Sequence, residues 1–205
     1  METITKERFI RILREKSISV FSYDEIFKIF DVSSETAVKA LLSRLKKAKI
    51  IEPLVRKKYL FLFTSQWPDV FQVANYLYPP SYISLESALS FYGIISQFPY
   101  MVTSITVNKA RSFDVWEKEF AYAQIKPEYY RDYSNENGIL IASKVKAVFD
   151  FLYLAYKGGR GKGNLSLMNF SRDLVTKKEV RDYIHKTAGK KEKNFIKFCH
   201  NQNII

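Results

Sequence analysis

The chain has a single cysteine, Cys199, and two histidines, His185 and His200. One cysteine allows no intrachain disulfide and no cysteine cluster for zinc, and it suits a reducing, cytosolic setting. Cys199 and His200 are neighbours in sequence, but a structural zinc site needs four donors that cannot be assembled here. No metal and no cofactor are expected. No run of about 18 apolar residues is present, so no membrane span is expected. The first eight residues, Met-Glu-Thr-Ile-Thr-Lys-Glu-Arg, lack the apolar core of a signal peptide. A cytoplasmic protein is expected. The chain also lacks a Gly-x-Ser-x-Gly nucleophile motif and the Walker spacing of a phosphate loop. Its acids are too scattered for a metal-binding carboxylate cluster. No catalytic residue is therefore expected, and no internal repeat is found.

What is present is positive charge, unevenly spread. The 205 residues are 47% hydrophobic and 26% charged, which describes a globular chain of one or two domains. The net charge is +12, which favours a polyanionic partner. Residues 1–64 carry 14 Lys and Arg against 8 Asp and Glu; residues 65–156 carry 7 against 9; residues 157–205 carry 12 against 4. Two basic ends thus flank a neutral, aromatic-rich middle. The ends are expected to meet nucleic acid.

Residues 22–63 hold a pattern that uses this charge. Residues 5–16 form a first expected helix, with Phe9, Ile12 and Leu13 at helical spacing. A second spans 22–30, opened by Ser22 and Glu25 as a capping box, in which each side chain satisfies an orphan backbone N–H. After the turn at Asp31-Val-Ser-Ser34, a third runs to about Lys47. Two short apolar strands follow, joined by Arg56-Lys57-Lys58. This is the pattern of a winged helix-turn-helix. On the third helix Val38, Leu41, Leu42 and Leu45 fall on one side. Thr36, Ala40, Ser43 and Lys47 fall opposite, flanked by Lys39 and Arg44. A recognition helix needs such a division: an apolar side fixed to its own domain and a thin side of small and basic residues for the major groove. Thr36, Lys39 and Ser43 are placed to meet base edges, and Lys39 or Arg44 to donate to guanine. Lys46, Lys47, Arg56, Lys57 and Lys58 are read as phosphate contacts. The plainer alternative is a solvated helix face, or a winged helix used for protein contact.

Residues 65–80, with Trp67-Pro68 and Pro79-Pro80, are read as a linker containing a short helix at 69–77. Beyond it, Ser84–Tyr92 is an expected helix stopped by Gly93. Residues 100–107, 119–125 and 138–142 are expected strands. Ser143–Tyr156 is an expected helix, apolar on most faces and hence buried. Within it Asp150 needs a partner, because a buried charge is costly alone; Arg111 or Lys144 is the expected cation. Gly158-Gly-Arg-Gly-Lys-Gly163 is read as a flexible connector, with Arg160 and Lys162 as an auxiliary nucleic-acid contact in the alternative. Helices at 177–187 and 192–201 form a basic tail.

Several middle segments are more specific. Pro80-Ser-Tyr-Ile-Ser-Leu-Glu-Ser-Ala-Leu-Ser-Phe-Tyr-Gly-Ile-Ile95 resembles the start of the C-terminal domain of AbiEi-type antitoxins. So do Val102-Thr-Ser-Ile-Thr-Val107 with Ala110-Arg-Ser-Phe113, then Phe120-Ala-Tyr-Ala-Gln-Ile-Lys-Pro127. The last is Ile141-Ala-Ser-Lys-Val-Lys-Ala-Val-Phe-Asp-Phe-Leu-Tyr-Leu154. Their order and spacing match, and the resemblance covers roughly residues 5–156. It implies an antitoxin of a type IV toxin–antitoxin, abortive-infection system. Such a protein is no enzyme. It represses its own promoter at inverted repeats and counters a nucleotidyltransferase-like toxin encoded by the adjacent gene. Carried over by position, Glu86, Arg111, Ser112, Phe113, Tyr122, Lys126 and Asp150 belong to the second domain's motif. Lys144-Val145-Lys146 departs from the family's Pro-Glu-Lys turn, and residues 157–205 match less clearly.

The expected architecture is therefore α+β. It comprises a winged helix-turn-helix over 1–64, a linker over 65–80, a mixed α/β domain over 81–156 and a basic helical tail over 157–205. Double-stranded DNA and the toxin, met directly or functionally, are the expected partners, with two copies expected on an inverted repeat. Two alternatives stand. One is a stand-alone winged-helix transcription factor whose second domain dimerises or binds a ligand; the other is an enzyme acting on nucleic acid.

Overall fold

A computed structural model of the chain describes residues 4–158, 168, 174–188 and 192–203. Among these the chain is mixed α and β, with eight α-helices and two sheets. It divides into two units, Met1–Leu77 and Tyr78–Ile205.

In the first unit α1 (Lys6–Glu15), β1 (Val20–Ser22), α2 (Tyr23–Phe30) and α3 (Glu35–Lys47) precede a hairpin of β2 (Ile51–Val55) and β3 (Lys58–Phe61). The three strands form an antiparallel sheet in the order β1-β3-β2. Pro53 sits in β2, an edge strand, where its missing N–H breaks no ladder. The capping box at α2 is formed: Glu25 N–H donates to Ser22 Oγ at 3.2 Å, and Ser22 N–H to Glu25 Oε2 at 2.6 Å. Helix α2 stops at Asp31, which adopts a left-handed conformation (φ 50°, ψ 51°), one that a short polar side chain tolerates. Phe9 lies at the centre of the core, stacked on Phe30 at 5.2 Å and edge-on to Phe21 at 5.7 Å. The buried stripe of α3 is Val38, Leu41, Leu42 and Leu45.

Helix α4 (Val70–Leu77) closes this unit. Tyr76 donates its hydroxyl to Glu25, and Lys58 donates to the carbonyls of Tyr76 and Leu77, which the helix's own ladder leaves open.

The second unit is built on a six-stranded mixed sheet in the order β6-β7-β5-β4-β9-β8. Its strands are β4 (Ser81–Ile83), β5 (Val102–Thr106), β6 (Arg111–Val115), β7 (Lys118–Gln124), β8 (Tyr133–Glu136) and β9 (Ile139–Ala142). Helix α5 (Leu85–Phe91) follows β4 and α6 (Lys144–Tyr156) follows β9. Helix α5 ends in a Schellman motif: Gly93 (φ 72°) donates to Ser90 O and Ile94 to Leu89 O. Ser143 caps α6 by accepting from Lys146 N–H at 3.3 Å, replacing the absent proline start. Helices α7 (Lys177–Ala188) and α8 (Lys193–Asn201) cover the far side of α6. Phe195 of α8 sits edge-on to Phe149 and Tyr153, and Tyr183 of α7 edge-on to Phe149. That second layer is why α6 is apolar almost all round. Of the glycine-rich connector Gly158–Gly163, only Gly158 (φ 87°) lies among the described residues.

Candidate nucleic-acid interface

Helix α3 begins at Ser34, whose Oγ accepts from Ala37 N–H at 3.3 Å. With the apolar stripe turned inward, Thr36, Lys39, Ala40, Ser43, Arg44, Lys46 and Lys47 are all exposed. The outward face is thus narrow, small at its middle and basic at its C-terminal end. Lys39 Nζ lies 2.9 Å from Glu35 Oε2, one turn earlier on the same helix. This pair holds the Glu35 carboxyl below the usual range and the Lys39 ammonium above it. Both partners are exposed, so the pair opens at little cost when a better partner arrives.

The hairpin between β2 and β3 turns through Arg56 and Lys57, both exposed. Lys57 takes a left-handed backbone (φ 63°), its carbonyl accepts from Tyr23 N–H at 2.8 Å, and its ammonium lies 3.8 Å from Asp24 and over the Tyr23 ring. Lys57 also acts electrostatically on Glu35. The hairpin turn therefore bears on the N-terminal end of α2.

Lys58 is the member of the basic triplet that does not join them. It is half-buried and held on the end of α4, and burial lowers its ammonium against the pull of Glu25. A side chain spent on two carbonyls is not an available phosphate contact. The triplet is one cluster in sequence, but the register pairs Lys58 with Ser22 and Val55 inside the sheet and leaves only Arg56 and Lys57 in the turn.

In the second unit the motif residues fall into three places. Glu86, Ser112, Arg111 and Tyr122 border one cavity of about 510 Å³ beside α5, α6 and strands β6 and β7. Arg111 also lies over the rings of Tyr78 and Phe113, each at 5.7 Å, and Phe113 meets Tyr122 at 5.8 Å. Strand alternation splits the run: Arg111 pairs with Tyr122 and Ser112 with Ala121, on opposite faces of the sheet. Lys126 is elsewhere, 2.5 Å from Glu192 at the head of α8. Its hydrogen bond raises the ammonium and lowers the Glu192 carboxyl.

Asp150 corrects the sequence expectation about its partner. The cation is Lys146, one turn earlier on α6, and neither side chain is exposed. Arg111 is occupied by aromatic rings, and Lys144 lies 6.0 Å from the Tyr92 ring. Ser84 and Tyr82 also donate to Asp150 Oδ2, at 2.8 and 3.0 Å. Burial pushes the Asp150 carboxyl up, against the pull of Lys146, Ser84 and Tyr82. Ser84 makes no side-chain capping hydrogen bond to α5. Thr103 substitutes: its Oγ1 accepts from Ser87 N–H at 3.0 Å and donates to Ser84 O at 2.8 Å. Sequence reasoning missed Lys146, Tyr82, Ser84 and Thr103. The signal for Lys146 was its i, i+4 spacing to Asp150.

Cys199 is buried, which pushes its thiol up to about 12, while His200 is exposed. Among the described residues no group of three or more His, Cys, Asp or Glu is placed to hold a metal ion. Among them, too, no helix is long and apolar enough to cross a membrane. No known protein family and no curated protein matches the chain by sequence.

Proposed function

We propose that residues 1–64 are a winged helix-turn-helix that binds double-stranded DNA, with α3 in the major groove and the Arg56-Lys57 turn on the phosphates. The observation that carries this reading is the exposed face of α3, Thr36, Lys39, Ser43 and Arg44 over a buried leucine stripe, followed by a hairpin whose turn exposes Arg56 and Lys57. Thr36, Lys39 and Ser43 read bases. Lys46, Lys47, Arg56 and Lys57 anchor the backbone without reading it.

On this reading the chain represses its own promoter at inverted repeats and, through its second unit, counters a nucleotidyltransferase-like toxin from the adjacent gene. The support for that second role is the ordered resemblance of residues 80–154 to AbiEi-type antitoxins. The gathering of Glu86, Arg111, Ser112 and Tyr122 around one cavity is compatible with it.

The test is a pair of variants measured on operator and random DNA. Arg56→Ala with Lys57→Ala should weaken binding to both alike. Lys39→Ala should also narrow the gap between them, because a good side-chain-to-base contact supplies about 1–3 kcal/mol of discrimination. Equal losses for Lys39→Ala on both DNAs would remove its base-reading role.

A further inference from the structure

The cavity beside α5, α6, β6 and β7 has features that the packing of the fold does not require. Its volume of about 510 Å³ is in the range of small-molecule sites, which are mostly apolar with a few placed polar groups. Its helical wall is Leu85, Phe151 and Leu154, and it faces the small residues Ala121 and Ala123 of β7. Alanines at those two positions are what leave room between sheet and helices.

Leu85 in that wall has a left-handed backbone, φ 56°. A non-glycine residue held there costs free energy, and such residues concentrate at ligand clamps and active sites. The next residue, Glu86, is half-buried and also borders an adjoining hollow of about 290 Å³ with Phe98, Tyr100 and Met101. Glu86 thus borders two mostly apolar spaces. Among the described residues it has no ion-pair partner. Among the described residues the other charged residue at the larger cavity is Arg111; its guanidinium rests over Tyr78 and Phe113, and the register puts it on the sheet face opposite Ala121 and Ala123.

This decides the sign of the ligand. Among the described residues, an anion entering between β7 and the helices meets Glu86 with no cation on that face of the sheet to offset it. A neutral apolar molecule covering Glu86 leaves a buried, unpaired carboxylate, which is costly. A cation supplies the missing partner. We propose that this cavity binds a small organic amine with an apolar body: the ammonium on Glu86, the body between the β7 alanines and Phe151. The inference goes beyond DNA binding and does not depend on it.

The test is calorimetric titration of the full chain with three probes of one shape: phenylbutylamine, phenylbutanol and phenylbutyrate. The amine should saturate and bind about tenfold tighter than the alcohol, as expected for one charge-assisted hydrogen bond, with the carboxylate weakest. Glu86→Gln should bring amine and alcohol within about threefold. Ala123→Leu should abolish binding of all three by filling the space. No saturable binding of the amine to the unmodified chain overturns the proposal, as does an amine preference that survives Glu86→Gln. The wild-type series and Glu86→Gln decide the matter even if Ala123→Leu fails to fold. None of these titrations contains DNA, so their failure is separable from failure of the DNA reading.

Discussion

Lys146 and Asp150 face each other one turn apart on α6, fully buried, with Tyr82 and Ser84 completing the acceptor side of the carboxylate. This pair joins α6 to β4 and to the start of α5, on which Leu85 and Glu86 border the cavity. Desolvating two charges gains little net stability, but removing one partner strands the other.

Lys146→Met should therefore destabilise the second unit by about 3–5 kcal/mol in urea unfolding. Adding Asp150→Asn should recover part of that loss, since a neutral amide replaces a stranded charge and its oxygen still accepts from Tyr82 and Ser84. A loss below about 1 kcal/mol for Lys146→Met, the range of an exposed pair, would contradict the structural role given to the pair.

The Ser22–Glu25 capping box should make the first unit sensitive to acid. Burial raises the Glu25 carboxyl, but the hydrogen bonds from Tyr76 and from Ser22 together outweigh it, so the folded value lies below the ordinary one. A depressed carboxyl contributes stability that is present above its unfolded value of about 4.3 and is lost as pH falls through the folded value. The stability difference between wild type and Glu25→Gln, followed by thermal melting, should be constant near neutrality and shrink below that pH. A difference that grows with acid would contradict the assignment. Ser22→Ala should cost about 1 kcal/mol at neutral pH.

Arg56 and Lys58 are two residues apart and should behave differently. If Arg56 neutralises one phosphate, Arg56→Ala should reduce the slope of log affinity against log salt by about one. Lys58→Ala should leave that slope unchanged and lower the melting temperature instead, because it frees the end of α4. Similar salt slopes for the two variants would place Lys58 on the DNA after all.

The parts of this fold legible in the sequence are those fixed by neighbours along the chain. The Ser22–Glu25 box, the Gly93 stop and the leucine stripe of α3 are all local, and each is present in the structure. Three-residue strands such as β1 and β4 exist only through partners far away in sequence, so nothing local announces them. The same holds at the sites. Arg56-Lys57-Lys58 and Arg111-Ser112-Phe113 each read as one feature, yet a hairpin register and strand alternation divide both. Asp150 was legible as a charge needing a partner. Lys146 is not legible as that partner because burial on both sides of α6, which comes from helices distant in sequence, is what forces a lysine to pair within its own helix.

Sequence-selective DNA binding by the first unit is best measured by fluorescence anisotropy. The full chain is titrated into labelled DNA from immediately upstream of its gene, and into a scrambled duplex of equal length, at two salt concentrations. Binding should be tighter to the upstream DNA at both salts, with affinity for each duplex falling as salt rises. Equal affinity for the two duplexes would reduce the basic face of α3 to a non-specific anchor, and no binding at either salt would contradict the claim outright.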